Sequence, residues 1–172
     1  MGGKNEETLG YMRNDTETKP DTYIEDRIRH LMAAERFGVL CTQGDGQPYG
    51  SLMALGYHPS LTFLVFATPR ATLKYQLLKS CPRVACVIDS RDKYPDDVMK
   101  AEALTITGYT EEIDVQSTVD GAVCRQLFMS RHQNLEAFIN DPKTALFKLY
   151  AEKFLYVTHF QETYVWHPPA SH

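Results

Sequence analysis

The stretch from Phe63 to Asp89 constrains the fold of this 172-residue chain more than any other. Phe63-Leu64-Val65-Phe66 is an apolar run of β-formers, and Pro69 ends it. Thr72 is a good N-cap for a short helix from Leu73 to Ser80, which Pro82 prevents from continuing. The strand Val84-Ala85-Cys86-Val87-Ile88 follows. Upstream, the Gly-rich turn Gln43-Gly44-Asp45-Gly46 joins two further strands, the second from Gln47 to about Tyr57, with the Asp-Gly step of a hairpin. Antiparallel meanders with few long helices predict a barrel or sandwich and exclude a doubly wound sheet.

The same stretch builds an anion site. A helix N-terminus presents unpaired N–H groups and a partial positive charge, and Thr68, Arg70, Thr72 and Lys74 add donors or cations to that end. A phosphate would find backbone and side-chain partners there. A second reading stands beside it: Thr72 only caps the helix, and Arg70 and Lys74 are only solvated. No Gly-x-Gly-x-x-Gly and no Walker pattern is present, so the phosphate-binding classes that use them are unsupported.

The remaining elements frame this unit. Ile24, Ile28, Leu31 and Met32 paint one apolar stripe on a first helix, for which Thr22-Tyr23-Ile24-Glu25 reads as a capping box and Gly38 as the stop. Asp89 to Lys100 is a charged loop, a surface connection or a lid. Leu104 to Tyr109 is a β-branched strand. Val119 to Asn140 is helical with a break near Ser130-Arg131-His132, and Ala145 to Tyr150 and Phe154 to Trp166 are the last strands before Pro168-Pro169. Residues 1–21 read as a polar arm, 22–169 as one domain and 170–172 as a tail.

Composition narrows the function. With 43% hydrophobic and 23% charged residues and a net charge of -4, the chain is ordinary globular material without the basic excess a nucleic-acid binder needs. The first residues are polar and acidic, and no run of about 18 apolar residues exists to span a bilayer, so the expected location is the cytoplasm. Cys41, Cys81, Cys86 and Cys124 form no Cys-x-x-Cys pair and read as reduced thiols, mostly buried. The histidines show no ligand spacing for a metal.

The order Phe37-Gly38-Val39-Leu40-Cys41-Thr42, Asp45-Gly46-Gln47-Pro48, Thr68 with Thr72-Leu73-Lys74, then Cys81-Pro82-Arg83-Val84 resembles the FMN-binding split barrel family. That family includes pyridoxamine 5'-phosphate oxidase and the nitroimidazole-resistance-type flavoproteins, whose start Met12-Arg13-Asn14-Asp15 also resembles. The resemblance runs from about Tyr11 to Trp166. It implies a mainly β fold with flanking helices, a six-stranded antiparallel split β-barrel that is homodimeric, with FMN at the subunit interface. Carried over residue by residue, it implicates Thr68, Thr72 and Lys74 for the phosphate, with Arg70 and Leu73 in the same segment. Ser51, Leu52, Met53 and Ala54 come beside the isoalloxazine, and Ala67 comes just before the phosphate turn. Trp166, read from the sequence itself as the only tryptophan, either stacks near the cofactor ring or fills the dimer seam.

Departures from the family pattern bear on the reaction. Ser51 and Leu73 stand where the amine oxidase carries arginines, its C-terminal arginine-histidine signature is absent, and Ala67 occupies the slot of a histidine in the nitroimidazole-resistance type. These weigh against pyridoxamine phosphate as substrate. The expectation is an FMN-dependent oxidoreductase acting on an unidentified small molecule, with a non-catalytic flavin or haem carrier as the alternative and a barrel that has lost its ligand as the third reading.

Overall fold

The computed structural model describes residues 19–114, 118–159 and 162–170. Sequence expectations for the N-terminal arm up to residue 18 and for the last two residues lie outside that range. The described elements run α1 (Asp21–Ala34), β1 (Phe37–Gly44), β2 (Gln47–Ala54), β3 (Gly56–Tyr57), β4 (Phe63–Pro69), α2 (Leu73–Ser80), β5 (Arg83–Asp89), β6 (Ala103–Ile113), α3 (Val119–Arg131), α4 (Glu136–Ile139), β7 (Thr144–Thr158) and β8 (Glu162–Trp166).

All strands join one antiparallel sheet in the order β2-β1-β5-β6-β7-β4-β3, with β8 on the remaining edge of β7. The first and last strands of that order, β2 and β3, are consecutive in the chain and separated only by Leu55. The sheet therefore curls until its two ends meet in one bent segment. Tight turn chemistry starts the curl: Asp45 (φ 51°) and Gly46 (φ 77°) both take the left-handed conformation that a two-residue hairpin requires, and glycine adopts it freely.

The described residues form a sheet of eight strands where six were expected, and the strand bounds depart from the sequence reading in two places. The predicted strand from Gln47 to Tyr57 divides at Leu55: its N–H still bonds the Arg36 carbonyl at 3.0 Å, one step beyond the Phe37↔Ala54 pair, and from Gly56 onward the strand pairs with β4 instead. At the C-terminus the predicted boundary between Tyr150 and Phe154 is not a turn. β7 runs straight through it, because the register passes from Thr107↔Lys153 to Gly108↔Ala151 and leaves Glu152 as the extra residue of a bulge. The real turn comes after Thr158, which makes β8 a separate strand.

Helix ends also differ in part from the sequence reading. α1 starts at Asp21 with Pro20 at the N-cap and no side-chain cap, so Thr22 lies inside the first turn and forms no capping box. Its C-terminus is Ala34, and Gly38 belongs to β1 rather than stopping the helix. The apolar stripe is as expected: Ile24, Ile28, Leu31 and Met32 are all buried. α3 ends at Arg131 and α4 follows after a short 3-10 turn, the break expected near Ser130 to His132.

Alternation along β4 and β7 creates two cores. Leu64, Phe66, Ala145, Phe147 and Leu149 face the barrel interior with the α1 stripe, and Phe66 stacks on Phe147 at 5.5 Å between centroids. Val65, Ala67 and Leu146 face outward, where Cys124 and Phe128 of α3 and Ile139 of α4 cover them. Each fully buried Val, Leu or Phe among them stabilises the fold by roughly 1.5–3 kcal/mol relative to exposure. Lys148 extends the outer face and is pinned to Asp120 at the start of α3 by bonds of 2.6 and 2.7 Å. All four cysteines are free thiols. Cys86 and Cys124 are buried as expected, whereas Cys41 and Cys81 are only half-buried, since Cys41 lies on the outer face of β1 and Cys81 follows the exposed end of α2.

Candidate functional site

β2 and β4 approach each other only at the bend. Gly56 pairs with Val65 and Tyr57 with Leu64, and continuing that register would set Ala54 opposite Ala67 and Leu52 opposite Pro69. No ladder forms there: β2 pairs with β1 alone. Ala54 and Ala67 still meet in the outer apolar cluster, so the two strands diverge from a closed point into a split. Both walls present backbone groups to it that lack sheet partners.

The far end of the split is the start of α2. Thr72 is the N-cap: its Oγ1 accepts from Tyr75 N–H at 3.2 Å and donates to the Pro69 carbonyl at 2.9 Å. That spends the Thr72 proton, so the fully buried Thr68 hydroxyl donates to Thr72 Oγ1 across 3.2 Å. The Thr72 carbonyl takes the Gln76 N–H at 3.3 Å. Of the first-turn donors, the N–H groups of Leu73 and Lys74 remain without an intrahelical acceptor.

Cations around this end divide sharply. Arg70 is drawn away by Glu112 of β6, whose carboxylate also accepts from Tyr75 Oη at 3.1 Å and Lys79 Nζ at 3.2 Å. These donors hold the Glu112 carboxyl below the usual glutamate range against the opposing effect of its burial. Lys74 has no anionic partner among the described residues, and half-burial alone pushes its ammonium below the usual lysine range. An anion beside Lys74 would relieve that penalty.

The other expected site residues fall in three groups. Ser51 sits on β2 with a buried Oγ that has no hydrogen-bond partner among the described residues. Met53 is core, 5% exposed inside the barrel, whereas Leu52 points outward at 72% exposure beside Phe37 at 54%. Leu73 is exposed on α2. Trp166 is not brought together with them: β8 pairs with the last third of β7, so the indole packs edge-on against Phe154 at 5.3 Å in the core at the opposite end of the barrel, near α1. Within one chain β2 carries Ser51, Met53 and Ala54, with Met53 inside the barrel core, while the end of β4 and the start of α2 carry Ala67, Thr68, Thr72 and Lys74; Arg70 is turned aside to Glu112 and Trp166 lies apart on β8.

One feature escaped the sequence reading, and a second, the Arg131-His132 pair that reads from sequence as a solvated kink at a helix break, has its histidine buried instead. Glu112 lies 42 residues from Arg70, and its only signal was an acidic pair at the end of a β-branched strand. The other is the junction behind the bend. Buried His132 sets Nε2 3.1 Å from the Leu55 carbonyl and packs against Phe37 and Phe128, while Arg131 reaches the Ala33 and Glu35 carbonyls. Burial and the Arg36 and Arg131 cations keep the His132 ring below its ordinary pKa, hence neutral near pH 7.

No protein-family model matches the sequence, and no curated protein matches it. Solved structures do match. A heme binding protein from Mycobacterium smegmatis superposes with a TM-score of 0.75 at 15% identity over 88% of this chain, which spans only 60% of that protein's length. A Clostridium acetobutylicum protein related to general stress protein 26, of the pyridoxinephosphate oxidase family, gives 0.65 at 17% identity, covering 87% of this chain and 96% of the other. A FAD-binding protein from Mesorhizobium loti gives 0.63 at 18%, covering 77% and 90%. With the curled antiparallel sheet and its split, these likenesses show that the chain has the split-barrel fold of pyridoxine phosphate oxidase-like proteins.

Proposed function

We propose that the protein is a homodimeric, cytoplasmic FMN-binding oxidoreductase acting on a small molecule, with the flavin lying in the split between β2 and β4. The observation that carries this reading is Lys74, a half-buried ammonium without an anionic partner among the described residues, next to the two free N–H groups that open α2. A phosphate there would meet one cation and at least two backbone donors. The orphaned Ser51 Oγ and the unpaired strand edges suit the polar rim of a flat heterocycle lying beside Met53 and Ala54. Thr68 and Thr72 act by holding the helix start rigid, since their hydroxyl protons are already spent.

FMN would supply the two-electron redox chemistry, and the chain's residues bind, orient and shield it. The dimer follows from the outer side of β1 and β2. Phe37, Val39 and Leu52 share that side, the segment Gln47 to Ala54 contains no charged residue, and its free edge needs a partner strand or face. A second copy covering it would also close the split over the flavin.

A carrier of flavin or haem is the second reading, favoured by the likeness to a protein named for heme binding. Haem ligation needs an axial side chain, and the one buried histidine among the described residues has its Nε2 committed to the Leu55 carbonyl. The absorption spectrum of purified protein decides between them: flavin bands support the proposal, and a Soret band supports haem. Oxidation of a reduced nicotinamide by the flavin-loaded protein then separates enzyme from carrier.

A further inference from the structure

We propose that His132 is the positioning residue that sets the opening of the split, an inference that rests on the split being the ligand site. The argument begins with the backbone of Leu55, the single residue at which the β2–β3 segment leaves one side of the sheet for the other. A buried residue must find partners for both its N–H and its C=O. Leu55 is 2% exposed; its N–H goes to the Arg36 carbonyl at 3.0 Å, and its C=O takes His132 Nε2–H at 3.1 Å. His132 thus takes the place of the Arg36 N–H, the donor that the β1–β2 ladder would have offered the same carbonyl.

The surroundings hold the ring to that task. His132 is 4% exposed, wedged between Phe37 at 5.6 Å and Phe128 at 5.1 Å. α3 lies so close behind the bend that a Cβ on Gly56 would stand 3.0 Å from the Leu127 carbonyl and Phe128 Cα, so the helix sits directly on the bent backbone. Arg131 reaches α1 at the Ala33 and Glu35 carbonyls and lies over the Tyr57 ring at 5.1 Å. α3 is therefore tied to Gly56 and Tyr57, directly after Leu55, and to the end of α1, and among the described residues the one side chain bonded to Leu55 itself is His132. Releasing that bond frees β2 to slide back toward β4 and narrow the cleft.

His132→Phe keeps the ring and both stacking partners but removes the donor, and His132→Gln restores a donor at similar reach. In His132→Phe, amide exchange across residues 47–57 accelerates, and FMN and riboflavin both weaken about tenfold, because the whole ring site moves rather than the phosphate contact. His132→Gln returns exchange and both affinities to within about threefold of wild type. Wild-type exchange and affinities in His132→Phe would overturn the proposal, as would a Gln variant no better than Phe. Ring 15N shifts of the unaltered protein give a check that needs no variant: the Nε2–H tautomer with a protected proton is required, and the Nδ1–H tautomer contradicts it. If wild-type protein binds neither flavin, the functional reading fails, while exchange in residues 47–57 still decides the role of His132.

Discussion

The two walls of the split are built on opposite principles. β4 is buried along its length from Leu64 to Thr68, against the barrel core on one side and α3 on the other, and is paired with β7 through every residue. β2 is exposed over most of its length, paired on one edge only and held at its end by the bonds of Leu55. One wall is finished by the fold; under the proposed function the other is completed by a ligand and a second subunit. A cleft built this way would get its precision from β4 and its response to ligand from β2.

Phe66→Ala should break the finished wall. Removing a fully buried ring stacked on Phe147 costs about 3–5 kcal/mol, seen as a lower urea midpoint at any protein concentration. Leu52→Asp probes the unfinished wall. The side chain is 72% exposed in one chain, so the folded monomer tolerates it, and the loss appears as weaker self-association with flavin release on dilution. Sedimentation of the variant checks this. A Leu52→Asp protein as dimeric as wild type would place the subunit contact elsewhere.

How much of this was legible beforehand follows the range of the interactions. The strand, cap and short helix around Thr72 were readable because apolar run, proline and N-cap act within a few residues. The α1 stripe was readable because helical periodicity is local. The bend at Leu55 was not read, although Gly56 directly after it is a local signal that weakens a strand. What fixes it is long-range: the change of partner from β1 to β4, and His132 on the Leu55 carbonyl. The bulge at Glu152 was invisible for the same reason, being fixed by register against Gly108. At the site, Lys74 and Ser51 came from motif order, whereas the diversion of Arg70 depends on Glu112 across the sheet and could only be seen in three dimensions.

A smaller effect separates the walls by pH. His132 at the β2 bend has a folded pKa below its ordinary 6.5, so the folded state binds fewer protons at that site than the unfolded chain. Its contribution is present above 6.5 and is lost as pH falls through the lowered folded value. The urea midpoint of wild type should therefore fall more between about pH 7.5 and about pH 5.5 than that of His132→Phe, which has no such group. Parallel curves would mean that the imidazole is not held neutral at the bend.

The central claim, that the start of α2 holds the phosphate of a flavin mononucleotide, is tested most directly by titrating FMN and riboflavin into wild type and Lys74→Ala. The account predicts that wild type prefers FMN, and that Lys74→Ala weakens FMN by about 10- to 150-fold, roughly 1.5–3 kcal/mol for a charge-assisted contact, while riboflavin affinity stays unchanged. Equal weakening of both ligands, or equal affinity of wild type for both, would contradict it.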